Sequence, residues 1–142
     1  MYIDYSKILK KNLKNVLHEV LLIIKKKGLK EGHHLYITFD KNHKYLKIPN
    51  WLKNKYKHNI TIVIQYEFWN LKVQKNEFSI DLSFNNTIAN LTVPFNSIIS
   101  FADPYANFGL QIAKDNSIKK VKKEKSKMQK NKIINLDQYR KN

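Results

Sequence analysis

The residues whose types could do chemistry in this chain are five histidines, His18, His33, His34, His43 and His58, and 11 acids. A metal site needs several such groups converging on one point, and acid–base catalysis needs carboxylates or histidines held together. Their spacing supplies neither. His33 and His34 are adjacent, so on a strand they face opposite ways and cannot chelate one ion together. His18 falls inside a helical repeat, and most of the acids stand singly among lysines, the pattern of solvated charge pairs. The absence of cysteine removes thiolate ligands, thiol nucleophiles and disulfides at once. Gly28, Gly32 and Gly109 are too far apart for a glycine-rich phosphate loop. The chain therefore reads as a non-enzyme with no metal and no cofactor.

Binding chemistry is better represented. "QYEFWNLKV" (65–73) sets Tyr66, Phe68 and Trp69 beside Gln65 and Asn70, and "FSIDLSFNN" (78–86) ends on Phe84, Asn85 and Asn86. Most of these aromatics belong to a core. Strand alternation nevertheless sends neighbours to opposite faces, so Gln65, Trp69 and Ser83 cannot all be buried together with Tyr66, Phe68 and Phe84. An apolar groove edged by amides suits an extended peptide whose main chain bonds to a strand edge.

The elements that must position these residues follow from periodicity. Between Asp4 and Lys27, Leu9, Leu13, Val16, Leu17, Val20, Leu21 and Ile24 recur at helical spacing. Asp4 or Ser6 can cap the first turn, Lys25 to Lys27 suit the negative end, and Gly28 can stop the helix. The apolar stripe widens at "VLLII", through burial against a sheet or through a second contact with another copy of the chain. After Gly32 the period becomes two, predicting strands at 34–39, 59–68, 71–74, 77–84 and 90–95, with a last edge strand at 107–113. Pro49 with Trp51, Leu52 and Tyr56 predicts one short helical turn, and "FNSIISFADP" (95–104) reads similarly. The expected fold is mainly β with an N-terminal α-helix: one small antiparallel sheet, connected as a meander and curled into a sandwich or partial barrel.

At 142 residues the chain is long enough for one domain and a tail. Its longest uncharged apolar run, Val20 to Ile24, is far shorter than the roughly 18 residues of a membrane-spanning helix. The N-terminus lacks the pattern of a secretory signal, and the expected location is cytoplasmic. The net charge of +16 suggests nucleic acid, but 26 of the 27 basic residues are lysine and only Arg140 is arginine, the residue that grips phosphate with a bidentate fork. Residues 114–142 hold 11 basic and 3 acidic groups, the densest charge in the chain. Residues 114–132 have no core-building period and read as a flexible lysine-rich linker with a reach of roughly 25 Å. The division expected is a folded domain at 1–113, the linker at 114–132 and a terminal peptide, "IINLDQYRKN", at 133–142.

Taken together, "HHLYITFD", "NITIVIQYEFWNLKV", "FSIDLSFNNTIANLTVPFNSIISFADP", "NFGLQI" and "NLDQYRKN" resemble the SspB family, the specificity-enhancing adaptors of the ClpXP protease, in its shorter-tailed branch. The most specific parts are "EFWNLKV" and "LTVPFNSIISFADP". The resemblance implies a homodimer of Sm-like or SH3-like β domains with the first helix, including Leu9, Leu13, Val16 and Val20, in the dimer interface. It implies a groove that holds the ssrA degradation tag, placed by motif at Leu82, Ser83, Phe84, Asn85 and Asn86, with Ile48, Gln65 and Phe68 as weaker members. Relatives commonly carry Gly-Gly where this chain has Asn85-Asn86; asparagine tolerates left-handed geometry, so the turn can survive. It also implies a C-terminal peptide, here Ile133, Ile134, Leu136, Asp137, Tyr139, Arg140 and Lys141, that docks on the ClpX unfoldase. The alternatives are a tail end that folds back on its own domain, an RNA-binding β-barrel stacking bases on Tyr66, Phe68 and Trp69, and, last, a helix at 6–27 lying on anionic membranes.

Overall fold

In the computed structural model, residues 2–111 are described. The linker at 114–132, the terminal peptide at 133–142 and the boundary at residue 113 lie outside the described residues.

Helix α1 spans Tyr5–Lys27. Of the two candidate caps it is Asp4 that works: its carboxylate accepts from the Lys7 amide at 3.1 Å and from the Ser6 hydroxyl at 3.0 Å. Gly28 ends the helix at φ 76°, its amide donating to the Ile24 carbonyl at 2.7 Å. A residue with a Cβ would be strained at that φ.

The strands are β1 (Leu35–Asp40), β2 (Asn59–Ile64), β3 (Trp69–Val73), β4 (Glu77–Phe84), β5 (Thr87–Pro94), β6 (Ile98–Asp103) and β7 (Phe108–Gln111), with a one-turn helix α2 at Asn50–Lys53. They form two antiparallel sheets rather than the single sheet expected, ordered β2-β1-β6-β7 and β3-β4-β5. Only the second is a plain meander; in the first, β1 lies between β2 and β6, which joins distant parts of the chain.

β6 corrects the expected helical turn at 95–104. A 3-10 turn does occupy Phe95–Ser97, but Ile98–Asp103 is a strand. Thr38 pairs with Ser100 while the next residue, Phe39, pairs with Ile98, so Ile99 is an extra residue bulged out of register. The bulge puts both Ile98 and Phe101 in the core, a three-residue spacing that hides the strand from a period-two reading.

The core alternates as the strand period requires. Leu35, Ile37 and Phe39 of β1, Ile60, Ile62 and Ile64 of β2, and Phe78, Ile80 and Leu82 of β4 are buried together with Leu91 and Val93 of β5. Leu13, Leu17, Leu21 and Ile24 of α1 join the same cluster, the helix lying against β3 and the Phe95–Ser97 turn. Each such side chain taken from water contributes about 1.5–3 kcal/mol before conformational entropy is counted, so this one cluster supplies most of the folding drive.

The burial of α1 divides the proposed dimer residues. Leu13 is 1% exposed and spent on its own core, so it has no surface for a partner, which corrects its assignment to a dimer interface. Leu9 and Val16 are exposed and Val20 half-buried. With Tyr5 and Ile23 they form an exposed apolar strip beside the buried face.

Candidate functional site

β2 is the terminal strand of its sheet, and its alternation sends Ile60, Ile62 and Ile64 into the core. Thr61, Val63 and the following Gln65 are thereby turned outward. They line two adjoining clefts that lie between β2 and the end of the β4–β5 hairpin and share Val63, Gln65, Leu82, Ser83 and Asn85. The wider cleft has a volume of about 750 Å³ and the narrower about 340 Å³.

The hairpin tip is built by asparagine. Phe84 pairs with Thr87, leaving Asn85 and Asn86 as a two-residue loop. Their φ angles are 52° and 70°, the left-handed pair of a type I′ turn whose twist matches the flanking strands. The turn therefore closes without glycine, and both asparagines line the wider cleft.

Of the eight residues assigned to the groove, Gln65, Leu82, Ser83, Asn85 and Asn86 line the wider cleft and Phe84 the narrower. Leu82 is itself 3% exposed, so it is floor rather than wall. Ile48 and Phe68 are placed elsewhere: both are half-buried against the core and line neither cleft. Of the exposed aromatics, Tyr66 and Trp69 line the wider cleft. Sequence reasoning missed Thr61 and Val63, which the period of β2 could have given, and Leu52, Lys55 and Tyr56 from the α2 region. It also missed Glu31, Gly32, His34 and Glu67 as lining residues. Those from the α1–β1 connection reach the cleft only through the sheet order, for which the local sequence has no signal.

Trp69 sits beside a carboxylate clamp. It pairs with Asp81 on β4, and one extra residue follows it on β3, where Asn70 adopts φ 52°. Asn70 donates to one Asp81 oxygen at 2.7 Å and Asn90 of β5 donates to the other at 2.7 Å, so one side chain ties three strands. The hydrogen bonds from Asn90 and Asn70, helped by the charge of Lys72, hold the Asp81 carboxyl below the usual carboxylate range.

The histidines divide in the same way. His33 bonds both oxygens of Asp103 at 2.9 and 3.0 Å and stacks on Tyr105, tying the α1–β1 connection to the end of β6. His34 lines the wider cleft. Among the described residues no three histidines or acids are grouped to hold a metal, and no helix is long and apolar enough to cross a membrane. What the arrangement can do is hold an extended chain along an open strand edge, over a floor of Val63 and Leu82 and between amide and hydroxyl groups.

No curated protein sequence matches this chain. A family model does match, that of SspB, Stringent starvation protein B, over residues 7–141, so that the match takes in α1 from Lys7 on, both sheets and the following residues up to Lys141. The chain belongs to the stringent starvation protein B family.

Proposed function

We propose that the chain is a proteolytic adaptor that binds ssrA-tagged polypeptides along the β2 cleft and delivers them to the ClpX unfoldase of ClpXP. Membership of the SspB family supports an adaptor-type function. The observation that supports the finer reading is the cleft itself: β2, an edge strand with no strand partner on its outer side among the described residues, lies beside the hairpin tip that the sequence resemblance assigns to a tag groove. An extended tag adds to the β2 edge through main-chain bonds, with alternate side chains over Val63 and Leu82.

In this reading residues 133–142 dock on ClpX and residues 114–132 are the tether. The chain works in the cytoplasm as a homodimer joined through the exposed strip of α1, Leu9 and Val16 with Val20 at its margin. Delivery needs no catalysis. Two weak docking peptides on a dimer act at millimolar-scale effective concentration, so the apparent KM of degradation falls while maximal turnover changes little.

The test is fluorescence anisotropy of a labelled ssrA-tag peptide titrated with the full chain and with a chain ending at Lys132. Equal binding by both is expected. Absence of binding by either would sink the tag-receptor reading and bring RNA binding forward, whose signature is affinity falling steeply with salt.

A further inference from the structure

The cleft is electrically lopsided in a way the overall composition does not forecast. The chain holds 27 basic and 11 acidic residues, yet among the described residues the wider cleft is lined by Glu31 and Glu67 and by no lysine or arginine. Among the described residues neither carboxylate has an ion-pair partner; the ion pair found there joins His33 and Asp103. The narrower cleft has the opposite sign. Lys55 lines it, with its ammonium 5.7 Å from the centroid of the Trp51 ring, and Trp51 meets Phe84 edge-on at 6.4 Å. The ring face attracts the ammonium and restrains it at the mouth of the cleft.

These charges sit at the two ends of one track. Thr61 lines only the narrower cleft, Val63 and Gln65 line both, and Glu67 lines only the wider. At the rise of a strand, Thr61 to Glu67 spans at most roughly 20 Å, so no more than about six residues of an extended peptide lie along this track. Charges on distant faces are screened over about 8 Å at physiological salt, so the local groups decide what the cleft prefers.

We propose that this polarity selects and orients the occupant: an extended peptide that presents an acidic side chain to Lys55 and, within about six residues of it, a basic side chain or amine to Glu31 and Glu67. Tyr66 and Trp69, which line the carboxylate end, add ring faces for the same cation. The inference rests on the reading of the cleft as a peptide receptor and adds which peptides it prefers and which way they lie.

The experiment uses the full chain and labelled peptides of alanine, asparagine and tyrosine carrying one aspartate and one lysine about five residues apart. Two further peptides replace the aspartate by lysine or the lysine by glutamate. Lys55→Glu is expected to weaken binding of the mixed-charge peptide by roughly three- to tenfold, the size of an exposed charge pair turned to repulsion. The same variant is expected to bind the peptide with two lysines better than the wild-type chain does. Glu67→Lys is expected to do the converse, recovering the peptide whose lysine became glutamate. Lys75→Glu, an equal change of net charge away from the cleft, is the control. Recovery by the swapped partner supports the proposal. Equal binding of all three peptides by every variant, or the same effect from Lys75→Glu, would overturn the polarity and leave the receptor intact. Binding of none of the three by the wild-type chain would overturn the proposal, and a parallel titration with the ssrA-tag peptide would decide whether the receptor reading falls with it.

Discussion

Asp81 ties the three strands of the second sheet through the amides of Asn70 and Asn90. Its carboxyl titrates below the usual range because Asn90, and then Asn70, donate to its ionised form. A depressed folded value means stability that is present above the unfolded carboxylate value of about 3.9 and lost as pH falls through the folded value. Asp81→Asn is therefore expected to lower the urea midpoint at pH 7, with the gap to the wild-type chain closing as the pH is taken below 4. A gap constant across that range would mean that the clamp acts through shape and not through charge. The hairpin tip gives a second test at this scale. Valine at Asn86, φ 70°, is expected to cost about 1–2 kcal/mol, whereas Asn86→Gly is expected to hold or raise the melting temperature. Similar losses from both would show that the side-chain amide, and not backbone freedom, sets the turn.

At the scale of elements, legibility in the sequence followed regularity. Helix α1 and strand β4 declare themselves because their periods run unbroken, with Asp4 and Gly28 at the helix ends and Glu77–Phe84 matching its expected limits. β6 stayed hidden because the Ile99 bulge replaces alternation with a three-residue spacing, and β3 begins earlier than expected because Asn70 adds a residue within it. The cleft was half legible. The residues contributed by β4 and the hairpin came through motif resemblance, while Glu31 and His34 enter through sheet order alone. The two faces of α1 can be told apart by mutation. Leu17→Ala, at a fully buried position, is expected to cost about 2–5 kcal/mol in denaturant unfolding. Val16→Asp, on the exposed strip, is expected to leave the fold intact and shift sedimentation from dimer to monomer. A monomeric wild-type chain at tens of micromolar would remove α1 from the dimer reading.

For the whole molecule, the argument turns on separating capture from delivery. Among the described residues the cleft is lined from within residues 31–86, whereas the segment proposed to dock on ClpX begins at Ile133, more than forty residues further along. If the two are independent modules joined by a lysine-rich tether, removing one leaves the other's equilibrium untouched, because a flexible linker transmits no strain. Deleting residues 133–142 is then expected to leave the dissociation constant for the tag peptide unchanged within about twofold while abolishing stimulation of ClpXP degradation at low substrate. The loss should appear as a raised KM with an unchanged maximal rate, since a tether raises local concentration and does not alter the unfolding step. Shortening residues 114–132 gives the graded version: stimulation should persist until the linker no longer spans the gap between partners and then fall abruptly. Stimulation that survives deletion of residues 133–142 would place the ClpX contact on the folded domain, and the exposed strip of α1 would become the surface to examine for it.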